Sequence, residues 1–423
     1  MSVRIRTAPL LAIGLLVAAL AAPAFSATTV EVGTCIPNLV HFDTIQDAVN
    51  AAGTSGTTID VCPGNYPEQV VINKNLALKG VADPSSNQDA AVVISPADGV
   101  VANTTSLSSG QPIAAQILVT SPATAVSISN MTVDGSGNNL GDCTTNLIGV
   151  YFQNASGSVA TSVLRNQALA PSLSGCQDGL GVFVQSGGGG ASTVTVQESS
   201  VHDYDKNGIT GNEAGTTLNV LNNAVQGFGV VNPPGAAQNG IQLGFGATGR
   251  ISGNTVIDHV YGDITQAIAT GILLFDTQED SGISVSSNNV HNSQGAVVMI
   301  TDTPGSFGDG VSVQSNTIFE VVNFDAIDAC TNNNTIKSNT IANSSQSAIH
   351  LDSSCSGTGN GNTVNGNIML ESACAGILQD TGTSDSIGSN LFVDIPFTVL
   401  NGSCPGTPGR PGNKRLARPH AYR

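Results

Sequence analysis

Four ionisable residues, Asp328, His350, Asp352 and Asp380, stand where a repeating chain would bring them together. The pairs Gly240-Ile241, Gly271-Ile272, Ala296-Val297, Ala326-Ile327, Ala348-Ile349 and Gly376-Ile377 share one pattern, a small residue followed by a branched apolar one. Alternate side chains of a strand point to opposite faces, so a branched residue turned inward sends the next one outward. The outward column then reads Leu273, Val298, Asp328, His350, Leu378. Two positions further on it reads Phe275, Ile300, Cys330, Asp352, Asp380. The four residues are therefore expected on one exposed face as the catalytic group. A carboxylate beside an imidazole orients it as a base, and two carboxylates one rung apart separate their pKa values into an acid and a base. Such a pair suits cleavage of a glycosidic bond. The same oxygens suit a Ca2+ ion. The plainer alternative is a solvated polar face.

A second column reads Asp203, Asp258, Asn292, Glu320, Asn343 and Glu371. Asp and Asn are ordinary turn formers, so these are expected in turns; stacked carboxylates there are also able to attract cations. His202, His259 and His291 lie beside this column and raise a copper site. They fall out of register with one another, and no Met or Cys ligand set accompanies them.

Eight cysteines complete the inventory. Taken in chain order they pair as Cys35–Cys62, Cys143–Cys176, Cys330–Cys355 and Cys374–Cys404, with separations of 27, 33, 25 and 30 residues. Neighbouring rungs of a stack lie about 4.8 Å apart, a spacing that disulfide geometry tolerates. Four local bridges are expected. Free thiols or a metal site are the alternative, which the lack of any CxxC spacing weakens.

What positions these residues is a repeat. A phrase of Asn, any residue and then an apolar one recurs at Asn223, Asn254, Asn288, Asn316, Asn339, Asn367 and Asn390, in uneven steps of 23 to 34 residues. A preserved phrase at uneven spacing is what a coiled solenoid gives when loops of different length leave each turn. Alternating apolar runs such as Leu218-Asn219-Val220, Ile283-Ser284-Val285 and Val311-Ser312-Val313 precede the phrase. The asparagines are expected to bond along their own column in the turns. One short helix is expected from Asp43 to Ala52, capped by Asp43 with Gln46 at the capping-box position. Its stripe of Ile45, Ala48, Val49 and Ala52 would cover the first rung.

These patterns resemble the right-handed parallel β-helix proteins of the pectin-lyase-like superfamily. The stretch from Thr44-Ile45-Gln46-Asp47-Ala48-Val49 through Pro63-Gly64-Asn65-Tyr66-Pro67-Glu68 to Leu76-Ala77-Leu78-Lys79-Gly80 resembles the opening segment shared by pectinesterase-like and NosD-like members. The resemblance implies an all-β right-handed parallel β-helix with a short N-terminal capping helix. It is poor for function, because that fold carries lyases, hydrolases, esterases, epimerases and non-catalytic proteins. Family phrases are mostly missing. Gln379-Asp380-Thr381 matches a pectinesterase phrase without its partner, and Val256-Ile257-Asp258-His259 only echoes a pectate-lyase one.

Charge narrows the partners. The chain has 13 Lys and Arg against 30 Asp and Glu. Five of the basic residues (Arg410, Lys414, Arg415, Arg418, Arg423) crowd the end. Such an acidic body repels nucleic acid. Lyase chemistry on uronic acids needs a basic residue, and only Arg165, Lys206, Arg250 and Lys337 are candidates in the stack. Tryptophan is absent and aromatics are 4%, so sugar-stacking platforms are scarce.

Arg4 and Arg6, the apolar run Leu10 to Ala22 and the small residues Ala24 and Ser26 read as a secretory leader over 1–26. No other run is long enough for a membrane span. The body is expected as one domain over 28–404, followed by a disordered basic tail over 405–423. Leader and cysteines together imply a secreted or periplasmic protein. Two readings follow: a carbohydrate-active enzyme, lyase or hydrolase, acting on a polysaccharide, or a non-catalytic binding or adhesion module.

Overall fold

The computed structural model describes residues 28–53, 56–82, 92–94, 98–302, 309–355 and 358–405. The expected leader and the basic tail beyond residue 405 lie outside the described residues. Three long sheets, of 14, 12 and 13 strands, run side by side. Successive coils give one strand to each, so neighbours within a sheet lie one coil apart in sequence. The first sheet runs from Val40–Phe42 to Ser386–Ile387, the second from Asn65–Pro67 to Leu391–Val393, and the third from Val70–Ile72 to Phe397–Asn401. Among the described residues every pairing is parallel except the short one between Thr104–Thr105 and Pro112–Thr120. The expected solenoid is the observed architecture.

Stacked like residues make the core. In the third sheet one inward column passes through Val182, Ile209, Ile241, Ile272, Val297, Ile327, Ile349 and Ile377, each register-paired with the next. All are fully buried in one continuous apolar cluster that extends from Val32 to Ile377. Burying a branched side chain contributes about 1.5–3 kcal/mol, and every rung does so against its neighbours.

The asparagine phrase sits between first-sheet and second-sheet strands and forms the expected ladder. The Asn223 Nδ2 donates to Asn254 Oδ1 at 3.0 Å, and the same bond repeats through Asn288, Asn316, Asn339 and Asn367 to Asn390. Each acceptor oxygen also takes the backbone N–H of the asparagine before it. The turn's buried polar groups are thereby satisfied without water. Asp203, Asp258, Asn292, Glu320, Asn343 and Glu371 all adopt positive φ, between 47° and 67°. The expected turn holds only for Asp203 and Glu371, which follow their strands. Asp258, Asn292, Glu320 and Asn343 lie inside second-sheet strands at the positions the register skips, as stacked bulges.

The helix spans Ile45–Ala51 and packs Ile45, Ala48 and Val49 onto the first coil. Its cap is Thr44, not Asp43: the Thr44 hydroxyl accepts from the Asp47 N–H at 3.0 Å. The reason is tertiary. Glu68 takes the Ile45 and Gln46 N–H groups at 2.8 and 2.9 Å, and Gln46 reaches the Val71 backbone, so neither residue is free to form a box with Asp43. All four disulfides join as expected, with Cα–Cα distances of 5.4 to 5.8 Å. Their sulfurs therefore hold no metal.

Candidate functional site

The third sheet concentrates the chemistry. Across all its strands the acidic and basic side chains number two, Asp328 and His350. They sit on adjacent strands, Ile327–Cys330 and Ile349–Leu351, directly opposite each other in register. The preceding members of this outward column, Leu273 and Val298, are apolar. Asp352 and Asp380 follow the ends of their strands, where their N–H groups bond Ala329 O and Leu351 O and so keep the register.

The expected face is not exposed. Asp328, His350 and Asp352 are 3%, 3% and 2% exposed. Only the Asp380 side chain, at 25%, reaches solvent. Phe324, in the turn entering the third sheet, packs over Leu273 and Val298, and the Cys330–Cys355 bridge folds the following loop back on the strand. Alternation predicts which side of the sheet a residue takes; it does not predict what a loop lays over that side.

His350 is held at both ring nitrogens. Nδ1 lies 3.2 Å from Asp325 Oδ2 and Nε2 lies 3.0 Å from Asp380 Oδ1. Carboxylates only accept, so the ring carries a proton on each nitrogen when both contacts form, and the group is an imidazolium between two anions. Asp325 is wholly buried and its Oδ1 takes the Ser347 N–H at 2.8 Å. Asp380 Oδ2 takes the Ser353 N–H and hydroxyl at 3.0 and 3.1 Å. Burial would raise the Asp380 carboxyl. Bonds from His350 and Ser353, the imidazolium charge and a bond from Asp352 outweigh it and hold the group well below the usual carboxylate range. An ionised carboxylate thus stands bonded to a second carboxyl.

Asp325 escaped sequence reasoning because it precedes the strand, in a turn whose direction alternation does not fix. Its place two residues ahead of Ile327, on the coil whose next rung carries His350, was the available signal. For a cation, Asp328, His350 and Asp352 each bring one donor atom within 4.8 Å of the others. His350 has no nitrogen to spare, so the donors that fit Ca2+ here are the Asp328 and Asp352 oxygens. His202, His259 and His291 do not converge. His202 bonds Asp203, His259 is buried against the Tyr204 hydroxyl, and His291 stacks on Phe319.

The basic candidates lie elsewhere. Arg165 is in a second-sheet strand and pairs with Asp134 at 2.7 Å. Arg250 and Lys337 are in first-sheet strands. Lys206 precedes a third-sheet strand but is fully buried, with Nζ donating to Ala237 O at 2.7 Å.

No family model matches the chain, and no curated protein matches it. Among solved structures it is similar to the GH136 lacto-N-biosidase from Eubacterium ramulus, with 10% identity and a TM-score of 0.59 over 87% of this chain and 67% of that one. It is also similar to the Dettilon tailspike protein, with 13% identity and a TM-score of 0.53 over 82% of this chain and 64% of that one. The DFA-IIIase from Arthrobacter chlorophenolicus A6 without its lid, in complex with GF2, gives 12% identity and a TM-score of 0.52 over 87% of this chain and 99% of that one. The chain thus spans about two thirds of the length of the first two. At such identities the likeness is one of fold, and with three parallel sheets and one strand of each per coil it gives the assignment: this chain folds as a right-handed parallel β-helix.

Proposed function

We propose that the protein is an exported glycoside hydrolase acting on a polysaccharide or oligosaccharide at the C-terminal end of the third sheet. The observation that carries this is the Asp325–His350–Asp380 chain with Asp352 bonded to Asp380. Asp380, ionised and partly open, is the base or nucleophile. Asp352, buried and bonded to Asp380, positions that carboxylate. His350 holds Asp380 in place and stabilises its charge. Asp328 lies across the strand pair from His350 and adds negative charge that suits an oxocarbenium-like transition state. Hydrolysis is favoured over lyase chemistry because, among the described residues, no Lys or Arg stands in a third-sheet strand. The fold likeness to a lacto-N-biosidase and a DFA-IIIase supports the class, and the four disulfides support an oxidising compartment.

The test is a panel of pectin, polygalacturonate, alginate, fructan and amino-sugar glycans, read for new reducing ends and for unsaturated products. New reducing ends without unsaturated product are expected, with kcat down by about 10^2–10^4 in Asp380→Asn. Silence on every glycan, or an undiminished rate in Asp352→Asn/Asp380→Asn, would reject the reading. A second reading, a non-catalytic glycan-binding module, is favoured by the burial of Asp328, His350 and Asp352. It predicts binding without turnover on the same panel.

A further inference from the structure

A second carboxylate cluster lies five strands nearer the N-terminus along the same sheet, at the turn that enters it. Ile148 pairs with Leu180, and Leu180 with Asn207. Two residues ahead of these on the three successive coils stand Asn146, Asp178 and Asp205. The same column continues to Ile113, which pairs with Asn146, on one side and to Ala237 on the other, so apolar residues close both ends. Asn146, Asp178 and Asp205 are 0%, 1% and 8% exposed.

Their polar atoms are poorly answered. Asp205 Oδ2 accepts the Leu169 N–H at 2.6 Å. Asp178 Oδ2 has no hydrogen-bond partner, and neither amide atom of Asn146 has one. Leaving such groups buried and unpaired is costly. The adjacent Lys206 is fully buried, which pushes its amine down to about 7, and its Nζ donates to Ala237 O, with no bond to either carboxylate. Asp142, exposed on the loop leading to Asn146, adds a third negative charge near Asp178. The geometry is held rather than accidental. The Cys143–Cys176 disulfide ties the Asn146 loop to the Asp178 loop. Gly179, at φ +83°, brings the backbones so close that a Cβ there would stand 2.2 Å from Gln167 O and 3.0 Å from Asp205 Cβ.

We propose that Asn146, Asp178 and Asp205 bind a structural divalent cation, with calcium the ion their chemistry fits. The donors are oxygens without a nitrogen or thiolate among them, which suits a hard cation. Two carboxylates cancel its charge. Backbone carbonyls and water complete a shell of six to eight oxygens. Burial and mutual repulsion push the Asp178 carboxyl up to about 7, and burial pushes Asp205 up to about 6; a bound cation reverses both costs. The site is independent of the proposed hydrolase chemistry.

The full chain, stripped with a chelator, is titrated with CaCl2 by calorimetry near neutral pH in an Asp328→Asn/Asp352→Asn background, which silences the other acidic cluster. One calcium per chain and a rise in Tm on addition are expected, with affinity weakened at least about tenfold in Asp178→Asn and in Asp205→Asn. Both variants remove a buried charge, so both should fold without calcium. Absence of binding in that background, or unchanged affinity in the two variants, would overturn the proposal and leave water or a shared proton in the column.

Discussion

Two groups of stacked carboxylates flank one sheet, and they meet burial in opposite ways. At the C-terminal end, Asp325 and Asp380 close on His350, whose protonated ring supplies the positive charge from within the fold. At the turn ahead of Leu180, Asp178 and Asp205 face each other with no imidazole or committed lysine between them. Parallel stacking is indifferent to charge: it superposes whatever the repeat carries. A carboxylate is therefore kept ionised only where a neighbouring coil contributes a cation, and otherwise it takes up a proton or an ion from solution.

The interior of the same strand sets the extreme of this contrast. Ile349 is fully buried in the apolar column, one residue before His350. Ile349→Asp places a carboxylate where neither an imidazolium nor a solvent ion can reach it. A loss of more than about 4 kcal/mol is expected, read as failure to give a cooperative unfolding transition. A variant folding normally would show that the rungs can part to hydrate the charge, and the contrast between the two clusters would lose its basis.

Next in size is removal of the internal cation. His350→Leu leaves the wholly buried Asp325 and the partly open Asp380 without their counter-charge. A loss of about 3–5 kcal/mol in urea unfolding is expected. Asp325→Leu/His350→Leu should recover part of it, because the more deeply buried anion is then gone. The opposite cluster should respond with the opposite sign: in chelator, Asp178→Asn should leave stability unchanged or raise it. Equal losses at both clusters would mean that His350 matters by packing and not by charge.

How much of this was legible depends on whether the repeat or the third dimension decides. The asparagine phrase, the small-then-branched pairs and the cysteine separations are all read one coil at a time, and stacking copies each coil onto the next. Solenoid, ladder and disulfides were therefore legible, and so was the register that faces Asp328 to His350. Burial of that pair was not, since it depends on Phe324 and the loop behind Cys330–Cys355. Asp325, Asp178 and Asp205 lie ahead of their strands and Asn146 is the first residue of its own, where the alternating pattern has not yet begun. Carrying the alignment back by two residues from Ile148, Leu180 and Asn207 would have found the second column. The Thr44 cap depends on Glu68, 24 residues away in the chain, which no local capping rule includes.

The smallest expected effect, and the finest comparison, is in pH. Asp380 titrates well below its unfolded value near 3.9, so the unfolded chain binds more protons in acid. Its contribution is complete above about pH 4 and is lost as pH falls through the folded value. Asp178 and Asp205 run the other way. Their folded values of about 7 and about 6 lie above the unfolded ones, so the folded chain binds more protons in between. Their contribution is complete below about pH 4 and is lost as pH rises to about 7. Urea midpoints measured in chelator should therefore rise with pH in the acid limb and then fall towards neutrality. Calcium should flatten the falling limb alone, by keeping the pair ionised and paired. Asp178→Asn/Asp205→Asn should shrink the falling limb and leave the acid one, whereas Asp380→Asn should shrink the acid limb, to which the depressed Asp134 and His259 also contribute, and leave the falling one. Were both limbs to move together in either variant, the two clusters would be coupled through the sheet, and the local account of how each carboxylate finds its counter-charge would fail.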